Sequence, residues 1–320
     1  MFFLKRGEVV RKTNAITEGA VLLALFIVLM LVAKYAPIIG ILALFVLPLP
    51  FIIFTIRHSL STTLMLVLAG SILSVLFGSI TNILLALMFG LSGMVMGYFY
   101  KKKQTMGVLV GGSLAYTFSI IVSYIGSIVF LNIDFIQDSI ELFKDSIQQS
   151  KAILQSFDAS GQMNQQFEQL EEGMGYITTL IPTLFVTTGM VFAVITHLIS
   201  VPILKRLRFE LAPLKPFREW RLPTSIIWYY LISSILLMVN LDQDSFLFMA
   251  VLNLYFILQF FVLMQGYSFV FFYSYVKGWA KAIPVVILIA SLIIPIFLYL
   301  IRILGIIDLG FPLRRKIQKK

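Results

Sequence analysis

The sequence predicts an all-α fold: a polytopic bundle of eight to nine transmembrane helices that carries an extracytoplasmic helical hairpin. Three observations predict it. Of 320 residues, 59% are hydrophobic and 12% charged, against about 25% charged in a soluble domain. Mean hydropathy is +0.97, and a soluble fold of this kind would expose one large apolar patch. Nine apolar runs approach or exceed the roughly 20 residues that a bilayer core requires. A single long polar stretch, 132–172, interrupts them.

The runs cover about 17–33, 36–56, 60–77, 79–100, 106–131, 175–204, 223–240, 246–275 and 283–304. The first is too long for the apolar part of a cleaved leader, and no small-residue cleavage site follows it. Lys and Arg in the loops orient the bundle. With the tail 1–14 inside, sixteen basic loop residues fall on the inner side. Three, Lys34, Lys144 and Lys151, fall on the outer. The N-terminus is therefore expected in the cytoplasm, with the chain in the cell membrane. Nine crossings would place the basic tail that starts at Arg314 outside, against that rule, so the span count stays at eight to nine.

Composition shifts divide the chain. Residues 1–208 form a six-helix membrane module that includes the 132–172 insertion. Residues 209–222 form a basic cytoplasmic linker with Pro213 and Pro216. Residues 223–320 form a C-terminal module of two to three helices with a basic tail. Within the insertion, Ile136, Ile140, Phe143, Ile147, Leu154 and Phe157 alternate steps of four and three, with Ser150 in one slot. That is a helix stripe or a short heptad seam. Asp158-Ala159-Ser160-Gly161 reads as a turn, and Met163, Phe167, Leu170 and Met174 continue at helical spacing. The hairpin is a structural pair, a lid or a partner-docking arm.

The missing residue types exclude several chemistries. Cysteine is absent and histidine occurs only at His58 and His197, too few for a zinc site. No phosphate-binding loop, dinucleotide fingerprint or HExxH occurs. No metal, cofactor or enzymatic activity is expected, and an ATPase would have to come from another chain. The net charge of +10 sits in membrane-flanking clusters, which suit anionic lipid rather than nucleic acid. Apart from Glu18, at the edge of the first run, no acid lies within the nine runs. That disfavours a self-contained proton-coupled carrier.

Neutral polar residues are more suggestive. Ser113, Tyr116, Ser119, Ser123 and Ser127 share one broad face of the fifth run. Thr179, Thr183 and Thr187 repeat every four residues in the sixth, and Thr81 and Asn82 open the fourth. They either line a pocket, with Asn82, Tyr116, Ser123, Thr183 and Thr187 as its walls, or tie helices together. Gly90, Gly93 and Gly97, like Gly107 and Gly111, suit close helix packing. Pro48 and Pro50 remove two backbone donors from the second run and break its helix. Such a break needs protein or a cavity to satisfy the backbone.

Pro48-Leu49-Pro50-Phe51-Ile52, followed by Arg57-His58-Ser59-Leu60, resembles the second-helix region of S components. These are the substrate-binding subunits of energy-coupling-factor vitamin transporters. Gly97-Tyr98-Phe99-Tyr100 with the following three lysines fits the same pattern, over about residues 10–208. Over its whole length the chain is similar to the YybS-like family, uncharacterised membrane proteins of Gram-positive bacteria. Leu258-Gln259 through Gln265-Gly266, and Gly305-Ile306-Ile307-Asp308 with Phe311 and Arg314, carry that similarity. The S-component resemblance implies a small-molecule solute, a coupling protein and an ATPase from other chains. It also implies a docking face on the first helix, where Ala20 and Ala24 lie four apart, as Ala15 and Gly19 do one turn earlier. The alternative is a non-transporting scaffold or signalling protein that recruits partners through the hairpin and the basic linker.

Overall fold

The computed structural model describes residues 6–155, 167, 170, 173, 176–239, 241–243, 245–311 and 313–318. Regular structure among them is helical throughout. Among the described residues, six helices are long and apolar enough to cross a membrane: Ala15–Tyr35, Ile38–Arg57, Asn82–Lys101, Thr105–Leu131, Ile181–Arg206 and Phe246–Val276. Leu60–Leu76, Ser225–Met238 and Ala282–Ile293 are apolar but shorter. The chain divides into two compact units, residues 1–174 with 188–213, and residues 175–187 with 214–320.

The first unit contains α1 (Arg6–Tyr35), α2 (Pro37–Val46), α3 (Leu49–Arg57), α4 (Leu60–Leu76), α5 (Asn82–Lys101), α6 (Thr105–Leu131) and α7 (Phe135–Gln155). It also holds most of α8 (Ile181–Arg206). Its core is aromatic and aliphatic, with Phe26, Phe51, Ile52, Phe54, Phe89, Met96 and Tyr116 all nearly or wholly inaccessible. Glycine brings α5 close to its neighbours. A Cβ at Gly93 would stand 2.6 Å from the Pro48 carbonyl oxygen, and one at Gly97 would stand 2.8 Å from that of Ile52. Any side chain there would force α3 and α5 apart.

The proline break between α2 and α3 is milder than expected. Leu47 and Pro48 both keep right-handed helical dihedrals. The Leu47 N–H reaches the carbonyls of Ala43 and Leu44, so the Leu44 oxygen that Pro48 cannot serve still accepts a bond. The Ile52 N–H closes on Pro48 O at 3.0 Å. The result is a kinked continuation rather than an unwound segment.

α6 ends at Asn132 in the left-handed region, φ 52°, a conformation that asparagine tolerates. Asp134 then accepts from the N–H groups of Ile136 and Gln137 and starts α7. Along α7, Ile140 and Ile147 are buried with Ile136 and Phe167 against them. Phe143 departs from the expected stripe: it is 49% exposed. The turn at 158–161, Phe157, Met163 and Met174 lie outside the described residues.

The second unit contains a short 3-10 turn (Phe217–Glu219), α9 (Ser225–Met238), α10 (Phe246–Val276), α11 (Ala282–Ile293), α12 (Pro295–Gly310) and α13 (Leu313–Gln318). Ile227, Tyr230, Leu258, Val262 and Leu309 form its core. The single run expected over 283–304 is two helices. Ile294 leaves the helical region, φ −111° and ψ 103°, as the residue before a proline is pushed to do. Pro295 then starts α12, which extends to Gly310. α10 and α12 meet through Gly266 and Gly305. A Cβ on Gly266 would run into the carbonyl oxygen of Ile301, and one on Gly305 into that of Val262.

Candidate functional site

The longer reach of α12 brings an acid into the helical core that the sequence reading placed beyond the last run. Asp308 is fully inaccessible. Its carboxylate is held by Arg314, whose Nε lies 3.0 Å from both oxygens and whose Nη2 lies 2.7 Å from Oδ2. Gln265 Nε2 also donates to Oδ2. The rest of the guanidinium is used as well. Nη1 donates to the Arg218 carbonyl at 2.7 Å and Nη2 to Ser268 Oγ at 3.1 Å. The face of the group lies 5.1 Å from the Phe272 ring centroid.

Two side chains of α10 attach the linker. Gln265 Oε1 accepts the Leu222 N–H at 2.9 Å. Ser268 Oγ lies 2.8 Å from the carbonyl oxygens of both Phe217 and Trp220. One carboxylate and one guanidinium thus join α10, α12, the start of α13 and the 217–222 segment. A planar fork suits this arrangement, and a lysine could not reproduce it. The pair clamps these segments together.

The sequence offered a signal for this cluster: a lone acid beside Gly305 near the end of an apolar run, and an arginine six residues on. Counting Arg314 among the topological charges of the tail hid it. Asn253 is a second polar group that no spacing pattern marks. It is a buried amide about two turns into α10 that joins four groups. Its Oδ1 accepts from the Thr183 N–H at 3.0 Å and from Thr183 Oγ1 at 2.7 Å. Its Nδ2 donates to the carbonyls of Thr179 and Met249.

The expected pocket residues have the following partners. Tyr116 is fully buried, with its hydroxyl 2.9 Å from Thr196 Oγ1. Ser123 donates to the Leu84 carbonyl across to α5, at 3.3 Å. Thr183 is bound by Asn253, and Thr187 donates to the Thr183 carbonyl of its own helix at 2.8 Å. Asn82 packs against Gly78, and its buried amide nitrogen has no hydrogen-bond partner among the described residues. Thr183 and Thr187 belong to the second unit, and Asn82, Tyr116 and Ser123 to the first. His197, next to Thr196, meets the Tyr100 hydroxyl through Nδ1 at 2.7 Å.

Glu18 also has a role beyond its edge position. Its two oxygens meet Arg57 Nη1 and His58 Nε2, and Lys101 Nζ donates to the His58 carbonyl at 2.7 Å. The cluster ties α1 to the ends of α3 and α5. On α1, Ala20 and Ala24 are exposed beside Ile16, Val21 and Val28. Gly19 is turned inward against Leu66 and Phe54. Among the described residues no group of three or more His, Cys, Asp or Glu could hold a metal ion.

A family model described as "Predicted membrane protein (DUF2232)" matches residues 24–309. The "Uncharacterized protein YybS" of Bacillus subtilis (strain 168) is 35% identical over 308 residues. The match spans 96% of this chain and 100% of that one. No solved structure matches. The chain is thus a member of the DUF2232 family of predicted membrane proteins.

Proposed function

We propose that this is a non-enzymatic, multi-pass subunit of the cell membrane that acts through a partner docked on the outer face of α1. In the S-component reading the partner is a coupling protein with its ATPase, and the cargo is a small solute. One observation carries the reading. Ala20 and Ala24 stand exposed on α1, while Leu22, Leu23, Phe26 and Ile27 of the same helix are buried and Glu18 ties it to Arg57 and His58. Small residues let a second helix approach closely. Ala24→Trp is expected to abolish co-purification of the partner while the protein stays inserted and monodisperse. Recovery of the same partner by the variant would remove α1 from the interface.

A topology goes with this reading: N-terminus inside, eight crossings, and α11–α12 as a re-entrant pair. It is supported by where Arg314 binds. Arg218 stacks on Tyr275 at 3.8 Å, near the end of α10, and its carbonyl accepts from Arg314. The tail, the linker and the end of α10 therefore share one end of the second unit. One further crossing would separate them. α11, with 12 residues, is only about 18 Å long against a core of about 30 Å. A pair that dips and returns leaves the basic tail inside, in keeping with the charge rule. Cysteines at Gln104 and Gln318 should resist an impermeant thiol reagent in intact cells, and one at Gln148 should react. Labelling at Gln318 would restore a ninth crossing.

A second reading, a scaffold with no solute, is favoured by the hydroxyls. Those of Tyr116, Ser123, Thr183 and Thr187 all end on protein groups. A co-purified small molecule would decide for transport. Its absence, with a partner still bound, would decide for the scaffold.

A further inference from the structure

The second unit contains a cleft of about 530 Å³ between α10, α11 and α12. That lies within the range of small-molecule sites. Its origin is geometric. Gly266 and Gly305 press α12 onto α10. α11 is tied to α10 separately, by a bond of 2.6 Å between the Tyr267 hydroxyl and Ser291 Oγ. The two short helices diverge at Ile294–Pro295, so a gap remains where neither fills the space beside α10. The walls are apolar, including Val270, Ile287, Ala290, Phe297 and Leu304. No residue among them carries a charge.

One edge of the cleft differs. Tyr273 and Trp279 line it and pack edge to face, with centroids 5.5 Å apart. Trp279 sits in a turn between Lys277 and Lys281, made possible by Gly278 at φ 67°. Lys277 Nζ lies 5.9 Å from the Tyr273 ring centroid. Both lysines are exposed, and among the described residues neither pairs with a carboxylate. Aromatic rings with flanking lysines are the side chains that settle at the boundary between hydrocarbon and headgroups.

We propose that this cleft holds an acyl chain of an anionic phospholipid, with its phosphate held by Lys277 and Lys281. The proposal rests on the inner placement of the 277–281 turn argued above. The apolar walls accept the chain, which has no hydrogen bond to lose. The two cations are complementary to a headgroup of net negative charge, and less so to a zwitterionic one, where an ammonium offsets the phosphate. A lipid seated there would complete the packing of the α11–α12 pair.

The test uses the intact chain in detergent, titrated with phosphatidylglycerol or with phosphatidylcholine of the same chains, and read by native mass spectrometry. The expected result is one phosphatidylglycerol retained per chain, in preference to phosphatidylcholine. The double variant Lys277→Gln/Lys281→Gln should weaken phosphatidylglycerol by roughly fivefold for each lysine, leaving phosphatidylcholine unchanged. Ala290→Trp, which fills the cleft, should abolish retention of both. Equal retention of the two lipids by the unmutated chain would overturn the proposal, as would undiminished retention in Ala290→Trp. A change of oligomeric mass in place of lipid loss in Ala290→Trp would assign the cleft to a second copy and overturn it too. If Ala290→Trp does not fold, the lysine variant, altered only at exposed positions, decides alone. Thiol labelling at Gln318 tests the topology independently, so a failure of lipid binding and a failure of the topology are told apart.

Discussion

The two units solve the same problem by different means. In lipid, helices gain nothing from hiding apolar side chains from one another, so packing and polar contacts must hold them together. The first unit relies on neutral bonds and on aromatic packing. Tyr116 meets Thr196, Tyr100 meets His197, and Phe26, Phe51 and Phe89 fill the space between. Its ion pairs, such as Glu18 with Arg57 and Lys103 with Glu210, are partly or wholly exposed. The second unit has a smaller core and places one ion pair inside it. The lesson concerns failure. A neutral bond that is lost leaves little behind, whereas half of a buried ion pair leaves an unpaired charge.

The largest predicted effect breaks that ion pair. Asp308→Ala should destabilise the protein by about 3–5 kcal/mol, the range for removing one partner of a buried pair. Thermal unfolding in detergent would measure it. Asp308→Leu combined with Arg314→Met should cost less than either change alone, because no charge is left unpaired. If the double variant is as unstable as the sum of the singles, the clamp does not act as a unit.

Glycine substitutions sharpen the comparison at intermediate size. Gly305→Ala drives a methyl group into the Val262 carbonyl, a backbone atom that cannot turn aside. Gly90→Ala in the first unit meets the side chain of Val67 instead. We expect about 1–3 kcal/mol for Gly305→Ala, the usual cost of overpacking, and less for Gly90→Ala. The same unfolding assay applied to both variants ranks them.

The smallest effect belongs to the neutral bonds. Tyr116→Phe removes one hydroxyl and keeps the ring against Phe89 and Phe192. A loss of roughly 0.6 kcal/mol is expected, the average for a hydrogen bond between membrane helices. A loss as large as that of Asp308→Ala would erase the distinction between the units.

Much of the fold was legible in the sequence, for a physical reason. Helices that satisfy their own backbone need long apolar runs, and each of the nine runs is helical over most of its length. The proline signals were also legible in kind. Pro48 gave a kink and Pro295 a true boundary, because the Leu47–Pro48 dihedrals stay helical and those of Ile294 do not. The partners of polar residues were not legible. A row of hydroxyls reads alike whether it faces a cavity, its own helix as Thr187 does, or a neighbouring chain segment as Ser123 does. Asp308 and Arg314 are six apart across a helix end, a spacing that no periodic pattern marks.

The clamp also orders events during synthesis. Arg218, Gln265, Ser268 and Asp308 all precede Arg314 in the chain, so every group it binds is made before it. Until Arg314 emerges, the Asp308 carboxylate lacks its cation and the end of α12 lacks its tie to the linker. Final packing of the second unit must therefore wait for residue 314. A chain interrupted before that point would carry an unpaired acid in the interior of its second unit.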